Sequence, residues 1–406
     1  MNDRGFSEES YRRAAPSRRG FLGGVLGVGG ALLLDPRVAL ALESVSDTSF
    51  PAPNGTLIGR VPFQLEPDAP LGERIHDGLD TRLYTDHARV VPDRLLTPSN
   101  EFFIRTGKPD GLETPQPWRL RVDGWVGKEQ DLDAARLAGR SSDRGIHVME
   151  CAGNSRWVRF GLLSAASWTG VPLSTLFEEA GPLPEAASVR VSGFDTHSAA
   201  STNSSGGCSW VFPLKDLEST GAFLATAMNG APLSPDHGHP VRLVVPGWYG
   251  CCCVKWVERV EVVDDRQPAT NQMIEFASRT HQSGTPKMAA EYRPATVDLA
   301  AMATRVEAWQ VEDRRVYRIS GLSWGGDDSR LGGDRLAIRF APNGPYRRVT
   351  HQPRRALSGS WGLWSHDWRP ERPGRYLIQL RVDDPMISTR RLDAGYYVRA
   401  VEIKGD

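Results

Sequence analysis

Cysteine is scarce in this sequence. The 406 residues contain five, three of them consecutive as Cys251, Cys252 and Cys253. No Cys-x-x-Cys-His occurs, which argues against covalent c-type haem, and no Cys-x-x-Cys pair offers a zinc site. Net charge is missing too: 49 basic residues balance 49 acidic ones, so no global field points to nucleic acid or a polyanionic substrate. A membrane-spanning run is also absent. The apolar, Gly/Ala-rich stretch from Phe21 to Leu34 has 14 residues, short of the roughly 20 that cross a bilayer. What the chain does have is length enough for more than one domain and a large core. It also has twelve tryptophans, most of them expected as core or interface anchors.

The N-terminus reads as an address. Ser17-Arg18-Arg19-Gly20-Phe21-Leu22 leads into the apolar run, and Ala39-Leu40-Ala41 follows it. Charge, a modest apolar stretch and small residues in that order make an export signal, and paired arginines before Phe-Leu fit the twin-arginine type. Residues 1–41 are therefore expected to be removed after Ala41, with a retained anchor as the alternative. Residues 42–96 are punctuated by Pro and Gly without periodicity and read as an extended arm over the surface.

The chain is organised around Ile146-His147-Val148-Met149-Glu150-Cys151-Ala152-Gly153-Asn154-Ser155-Arg156-Trp157. An apolar strand end breaks at one cysteine, and Gly153 and Asn154 favour a turn. Arg156 supplies a planar cation suited to an oxyanion. A thiol beside a cation is expected to ionise readily, and a thiolate is a nucleophile or a soft-metal ligand. A buried inert cysteine is the alternative. Trp118, Leu120 and Val122 alternate as a strand ending at Asp123-Gly124. Pro172 opens a helix with Leu173, Leu176 and Phe177 on one face, stopped by Gly181. Val189, Val191 and Phe194 form a strand that delivers Asp195 and His197. Further on, Pro235-Asp236-His237-Gly238-His239-Pro240-Val241-Arg242 runs into a buried strand, Val241 to Val245, and then Val254-Lys255-Trp256-Val257. His237, Arg242 and Lys255 make a donor set for an anionic phosphate. Short strand-like segments at Val316–Leu322, Arg335–Phe340, Arg375–Val382 and Tyr396–Ile403 read as a β-sandwich.

Cys-Ala-Gly-Asn-x-Arg resembles the molybdenum-binding segment of the sulfite oxidase family, and the His237…Arg242…Lys255 run resembles its pterin-binding segment with the same spacing. The resemblance implies an α+β fold: a mixed α/β molybdopterin domain over residues 97–295, then an immunoglobulin-like dimerisation domain over residues 296–406. It implies the molybdenum cofactor, molybdopterin, with Cys151 as metal ligand. Phe103, Arg105, Cys151, Asp195, His237, Arg242, Cys253 and Lys255 are expected to hold the cofactor. Cys151, Arg105 and Arg156 are the expected catalytic set, with both arginines on the substrate's charge. Phe102-Phe103-Ile104-Arg105 matches a family segment, although Thr106 and Gly107 stand where the family has Asn and His. Gly161–Gly170 resembles its substrate-side loop. Cys251 to Cys253 are expected as small apolar fillers near the pterin, with a redox or second-metal role as the alternative.

One departure concerns the substrate. Counted from Lys255, the family's substrate tyrosine falls on Phe276, which donates no hydrogen bond; Arg279 and His281 lie close by in sequence. The expected activity is oxygen-atom transfer on a small anionic sulfur compound, sulfite first. Electrons would pass to a separate carrier such as a c-type cytochrome, in an exported, periplasmic homodimer. A twin-arginine route carries folded proteins, which suits a cofactor made in the cytoplasm. A sulfoxide- or nitrate-type reductase on the same fold, and a non-catalytic β-rich binding protein, are the alternatives.

Overall fold

The computed structural model describes residues 53–195, 207–326, 335–351, 359–384, 387 and 389–405. The export signal and His197 lie outside the described residues. Among the described residues no helix is long and apolar enough to cross a membrane.

Among the described residues, two sheets and four α-helices build the part that carries the motifs. One sheet runs Ser209–Pro213, Ser188–Gly193, Val257–Val263, Arg119–Gly124, Gln130–Asp133, antiparallel except where Val257–Val263 lies parallel to Arg119–Gly124. The other runs Ala231–Pro232, Phe223–Met228, Leu163–Pro172, Ser142–Glu150, with Arg242–Val244 paired to Phe223–Met228. The expected helix spans Leu173–Ala180; Leu173, Leu176, Phe177 and Ala180 are buried, and Gly181 ends it in the left-handed region at φ 62°, which glycine adopts without strain.

Gly161–Gly170 is not a loop for most of its length: Leu163–Pro172 is a strand. Its residues are mostly small and buried on both faces, so the alternation that marks a half-exposed strand is absent.

The C-terminal part has two sheets of its own. Thr56–Arg60, Ala300–Val311, Arg314–Trp324 and Gly362–Trp368 form one; Arg347–Arg348, Leu336–Arg339, Gly374–Val382, Arg399–Ile403 and Phe63–Gln64 form the other. The arm therefore does more than cover the surface. It adds an edge strand to each sheet, through Thr56–Arg60 on Ala300–Val311 and Phe63–Gln64 on Arg399–Ile403. Beyond that, Leu83, His87, Val90 and Leu95 are buried. Trp168, Trp210, Trp324, Trp361 and Trp364 are among the largest fully buried side chains, as core anchors should be. Trp361 also ties the two parts together, its indole N–H donating to the Leu95 carbonyl at 3.0 Å.

Candidate active site

The strand Ser142–Glu150 delivers Cys151 into a tight turn. The Cys151 N–H donates to the Leu162 carbonyl (3.0 Å), and the Asn154 N–H donates to the Cys151 carbonyl (2.9 Å). The Asn154 side-chain oxygen accepts from the Leu162 N–H at 3.1 Å, and the Gly153 N–H points at Cys151 Sγ at 3.4 Å. The turn is thus fixed by backbone bonds that present one sulfur. Cys151 as a whole is 5 % exposed. Burial pushes the thiol up to about 11, against the Gly153 N–H, Arg105 and Arg279. Ready ionisation, expected from the sequence, is therefore corrected: the bare thiol keeps its proton at neutral pH, because desolvation outweighs the nearby cations.

Cys151 lines a pocket of about 850 Å³, open mouth included, with Phe103, Arg105, Asp195, His237, Arg242, Cys253 and Lys255. The sequence-predicted cofactor residues thus share one cavity. Phe102 and Phe103 stack at 5.3 Å, and Phe102 meets the His237 ring edge-on at 5.5 Å. Asp195 accepts from the Cys208 N–H at 3.0 and 3.1 Å. Burial, Arg242 and Lys255 lower His237 to about 4, leaving the ring neutral. Its Nδ1 lies 2.8 Å from Ser234 Oγ and its Nε2 3.2 Å from the Phe102 carbonyl. Both ring nitrogens are engaged, so His237 shapes the wall rather than offering an idle donor.

Arg242 and Lys255 are two of the charged residues of the wall. Arg242 donates to the carbonyls of His237 (3.3 Å) and Cys253 (3.2 Å) and towards the Met149 sulfur (3.2 Å). Its buried Nε has no hydrogen-bond partner among the described residues. Lys255 Nζ donates to the carbonyls of Thr106 and Asp236, and burial with Arg242 close by lowers it to about 8. A buried arginine and a half-buried lysine held by carbonyls, the arginine with an orphaned N–H, fit an anionic group such as the phosphate of a pterin. The residues present therefore fit molybdopterin: Cys151 to the metal, Arg242 and Lys255 to the anionic end.

Arg156 is a correction. It is not among the pocket-lining residues; its guanidinium donates to the Leu65 carbonyl at 3.0 Å and pairs with Glu66 at 3.6 Å. The chain enters the short helix Arg156–Val158 there, and the arm holds the side chain. Besides Arg105, Arg279 reaches the Cys151 turn, from a different segment. A Cβ on Gly153 would lie 3.5 Å from Arg279 Nη1 and 3.8 Å from Cys151 Sγ. Arg279 also sits over the Phe276 ring at 5.7 Å. Phe276 lines the pocket, as its count from Lys255 predicts, whereas neither the exposed Arg279 nor His281 is among its lining residues; His281 lies 3.3 Å from the Tyr249 hydroxyl.

Cys251 and Cys253 line the pocket and Cys252 is buried behind them; all five cysteines are free. Among the described residues no group of three His, Cys, Asp or Glu side chains could hold a metal ion, so the triplet finds no second-metal site there. Sequence reasoning missed Gln272 and Glu275, which also line the pocket from the segment before Phe276. Gln272 precedes Phe276 by four residues, a helical spacing and a usable signal, whereas Glu275 adjoins it and carries no such signal. It missed the buried carboxylate of Glu150 as well, which adjacency to Cys151 flags.

Residues 107–271 match the family described as oxidoreductase molybdopterin binding domain. Over 203 residues the chain is 32 % identical to sulfite oxidase of Gallus gallus, covering 47 % of this chain and 44 % of that protein. It is 28 % identical to nitrate reductase [NADPH] of Beauveria bassiana over 255 residues, covering 57 % of this chain and 26 % of that protein. The aligned part thus spans less than half the length of these relatives. The structure superposes on the sulfane dehydrogenase SoxCD from Paracoccus pantotrophus with a TM-score of 0.59 at 20 % identity, over 82 % of this chain and 89 % of that one. Fold, pocket and family match define a molybdopterin-dependent oxidoreductase. The reading as a non-catalytic binding protein falls with that. The chain is similar to the sulfite oxidases over about half its length, and its α+β fold is of the sulfite oxidase type.

Proposed function

We propose that the protein is an exported enzyme that adds an oxygen atom to a small anionic sulfur compound, sulfite first, and passes the electrons to a separate carrier. The observation that carries this is the meeting of Cys151, Arg105 and Phe276 in one pocket, with the Arg279 guanidinium over Phe276 and beside the Cys151 turn. When bound, the cofactor supplies the oxygen-atom exchange and stores two electrons; sulfite and water become sulfate, two protons and two electrons. The chain's part is to bind and orient. Arg105 holds the anion beside Cys151, and Arg279 supplies a charge that Phe276 cannot. Arg242 and Lys255 anchor the cofactor. The carrier is a c-type cytochrome, the protein is a homodimer, and the twin-arginine route takes it to the periplasm.

A cofactor-loaded preparation assayed against sulfite, thiosulfate, nitrate and sulfoxides, with artificial electron donors and acceptors, tests the reaction. Sulfite-dependent acceptor reduction is expected. Turnover of nitrate or sulfoxide alone would establish the reductase reading, which the similarity to nitrate reductase favours as second choice. For export, Arg18→Lys with Arg19→Lys should strand an unprocessed precursor in the cytoplasm; normal processing overturns that route.

A further inference from the structure

The residue before the metal-ligating cysteine is held by the other end of the chain. Glu150 is 1 % exposed, and each of its carboxylate oxygens accepts two hydrogen bonds. Oε1 accepts from Arg390 Nη1 (2.9 Å) and Asn154 Nδ2 (3.1 Å); Oε2 accepts from Arg390 Nη2 (2.7 Å) and Trp324 Nε1 (2.9 Å). The Arg390 pairing is the two-pronged kind that fixes both partners in angle as well as distance. Arg390 is set in its own frame. Its N–H donates to the Leu299 carbonyl at 3.0 Å, and its guanidinium donates to the hydroxyls of Tyr397 (2.7 Å) and Tyr249 (3.1 Å). Tyr397 stacks on Phe160, just past the Cys151 turn, at 5.2 Å.

Asn154 completes the connection. One end of its amide donates to Glu150 and the other accepts from the Leu162 N–H, so the carboxylate and the turn share a side chain. Neither Glu150 nor Arg390 is among the residues lining the pocket. Their effect on the site runs through the turn. We propose that Glu150 and Arg390 are positioning residues: the C-terminal sandwich, through this ion pair and Asn154, sets where the Cys151 sulfur sits. The sandwich is then a structural part of the metal centre.

The test uses the full chain in two forms. Without cofactor, alkylation of Cys151 by iodoacetamide is followed by mass spectrometry of its peptide. With cofactor, the sulfur-to-metal charge-transfer absorption is recorded alongside kcat and KM. Glu150→Gln and Arg390→Met should each raise the Cys151 alkylation rate at least tenfold, shift the absorption band and lower kcat with little change in KM. Arg390→Lys, which keeps the charge but not the fork, should fall between parent and Arg390→Met. Arg318→Met breaks a different pair in the sandwich, Arg318 to Asp367 at 2.7 Å. It should lower the melting temperature while leaving Cys151 alkylation as in the parent. If the single variants do not fold, Glu150→Gln combined with Arg390→Met removes both charges and gives the same readout. Alkylation within twofold of the parent in Glu150→Gln and Arg390→Met, or an equal rise in Arg318→Met, overturns the proposal. The absorption and kinetic readouts rest on Cys151 being the metal ligand; the alkylation readout does not, so failure of one is separable from failure of the other.

Discussion

In the proposed function, Cys151 and Phe276 are the two residues on which the chemistry turns. A serine oxygen is a harder ligand than thiolate, so Cys151→Ser should leave a folded protein without turnover. Activity within about threefold of the parent, under roughly 0.7 kcal/mol in barrier, would remove Cys151 from the metal. Phe276 lies in the pocket at 8 % exposure under the Arg279 guanidinium. In Phe276→Tyr the added hydroxyl meets either the substrate oxyanion or an unpaired, buried void. A well-placed bond to a charged group contributes about 1.5–3 kcal/mol, roughly tenfold to a hundredfold in sulfite turnover. Lower stability with unchanged sulfite kinetics would show that the hydroxyl never reaches substrate. At this scale the sequence was most legible where spacing carried the reading: His237, Arg242 and Lys255 do meet Cys151 in one cavity. Arg156 was misread because the direction of a side chain five residues past Cys151, beyond a turn, cannot be inferred from sequence, and a partner from the arm, Glu66, captured it. Arg279 acts in its neighbourhood from a different segment, which no local pattern announces.

Among the elements, the helix Leu173–Ala180 and the strand Arg119–Gly124 were readable because each has one buried face and an unambiguous stop. Leu163–Pro172 was not, being buried on both faces. The strand Ala300–Val311 was not among the segments read as strands, because it opens with a run of small residues with little β signature. Its neighbour gives a sharp test of packing. A Cβ at Gly321 would lie 2.2 Å from the Met302 carbonyl and 2.2 Å from the Trp364 ring. Neither a ladder carbonyl nor a fully buried indole has room to retreat. Gly321→Ala should therefore cost about 1–3 kcal/mol or more, read as a lower denaturant midpoint in urea. A midpoint equal to the parent's would mean the two strands separate more easily than their pairing suggests.

The whole molecule carries an acid sensitivity separate from its chemistry. Burial holds His87 and His366 down at about 4, from an ordinary value of 6.5. Between those values the unfolded chain binds more protons than the folded one, so stability is full above about pH 6.5 and is lost as pH falls through 4. His366, whose Nδ1 lies 3.2 Å from Thr350 Oγ1 and whose ring stacks on Phe340, is the tractable one. In His366→Gln the melting temperature should fall less steeply between pH 6.5 and 4; an unchanged slope would mean His366 titrates alike in both states. The two-part architecture was legible in the change of texture towards the C-terminus, and the fastening between the parts was not. Trp361 to Leu95 and Arg390 to Glu150 join residues 266 and 240 positions apart. No single-sequence periodicity encodes such pairs.

That last separation has a consequence in time as well as space. A ribosome makes Glu150 and Cys151 long before Arg390, so throughout most of synthesis the carboxylate lacks its counter-cation and stays solvated. The cysteine turn can reach its final setting only once the last strands are made and docked. Cofactor capture then becomes a late event on a finished chain, and a product truncated before Arg390 should emerge with an unset site, empty of metal.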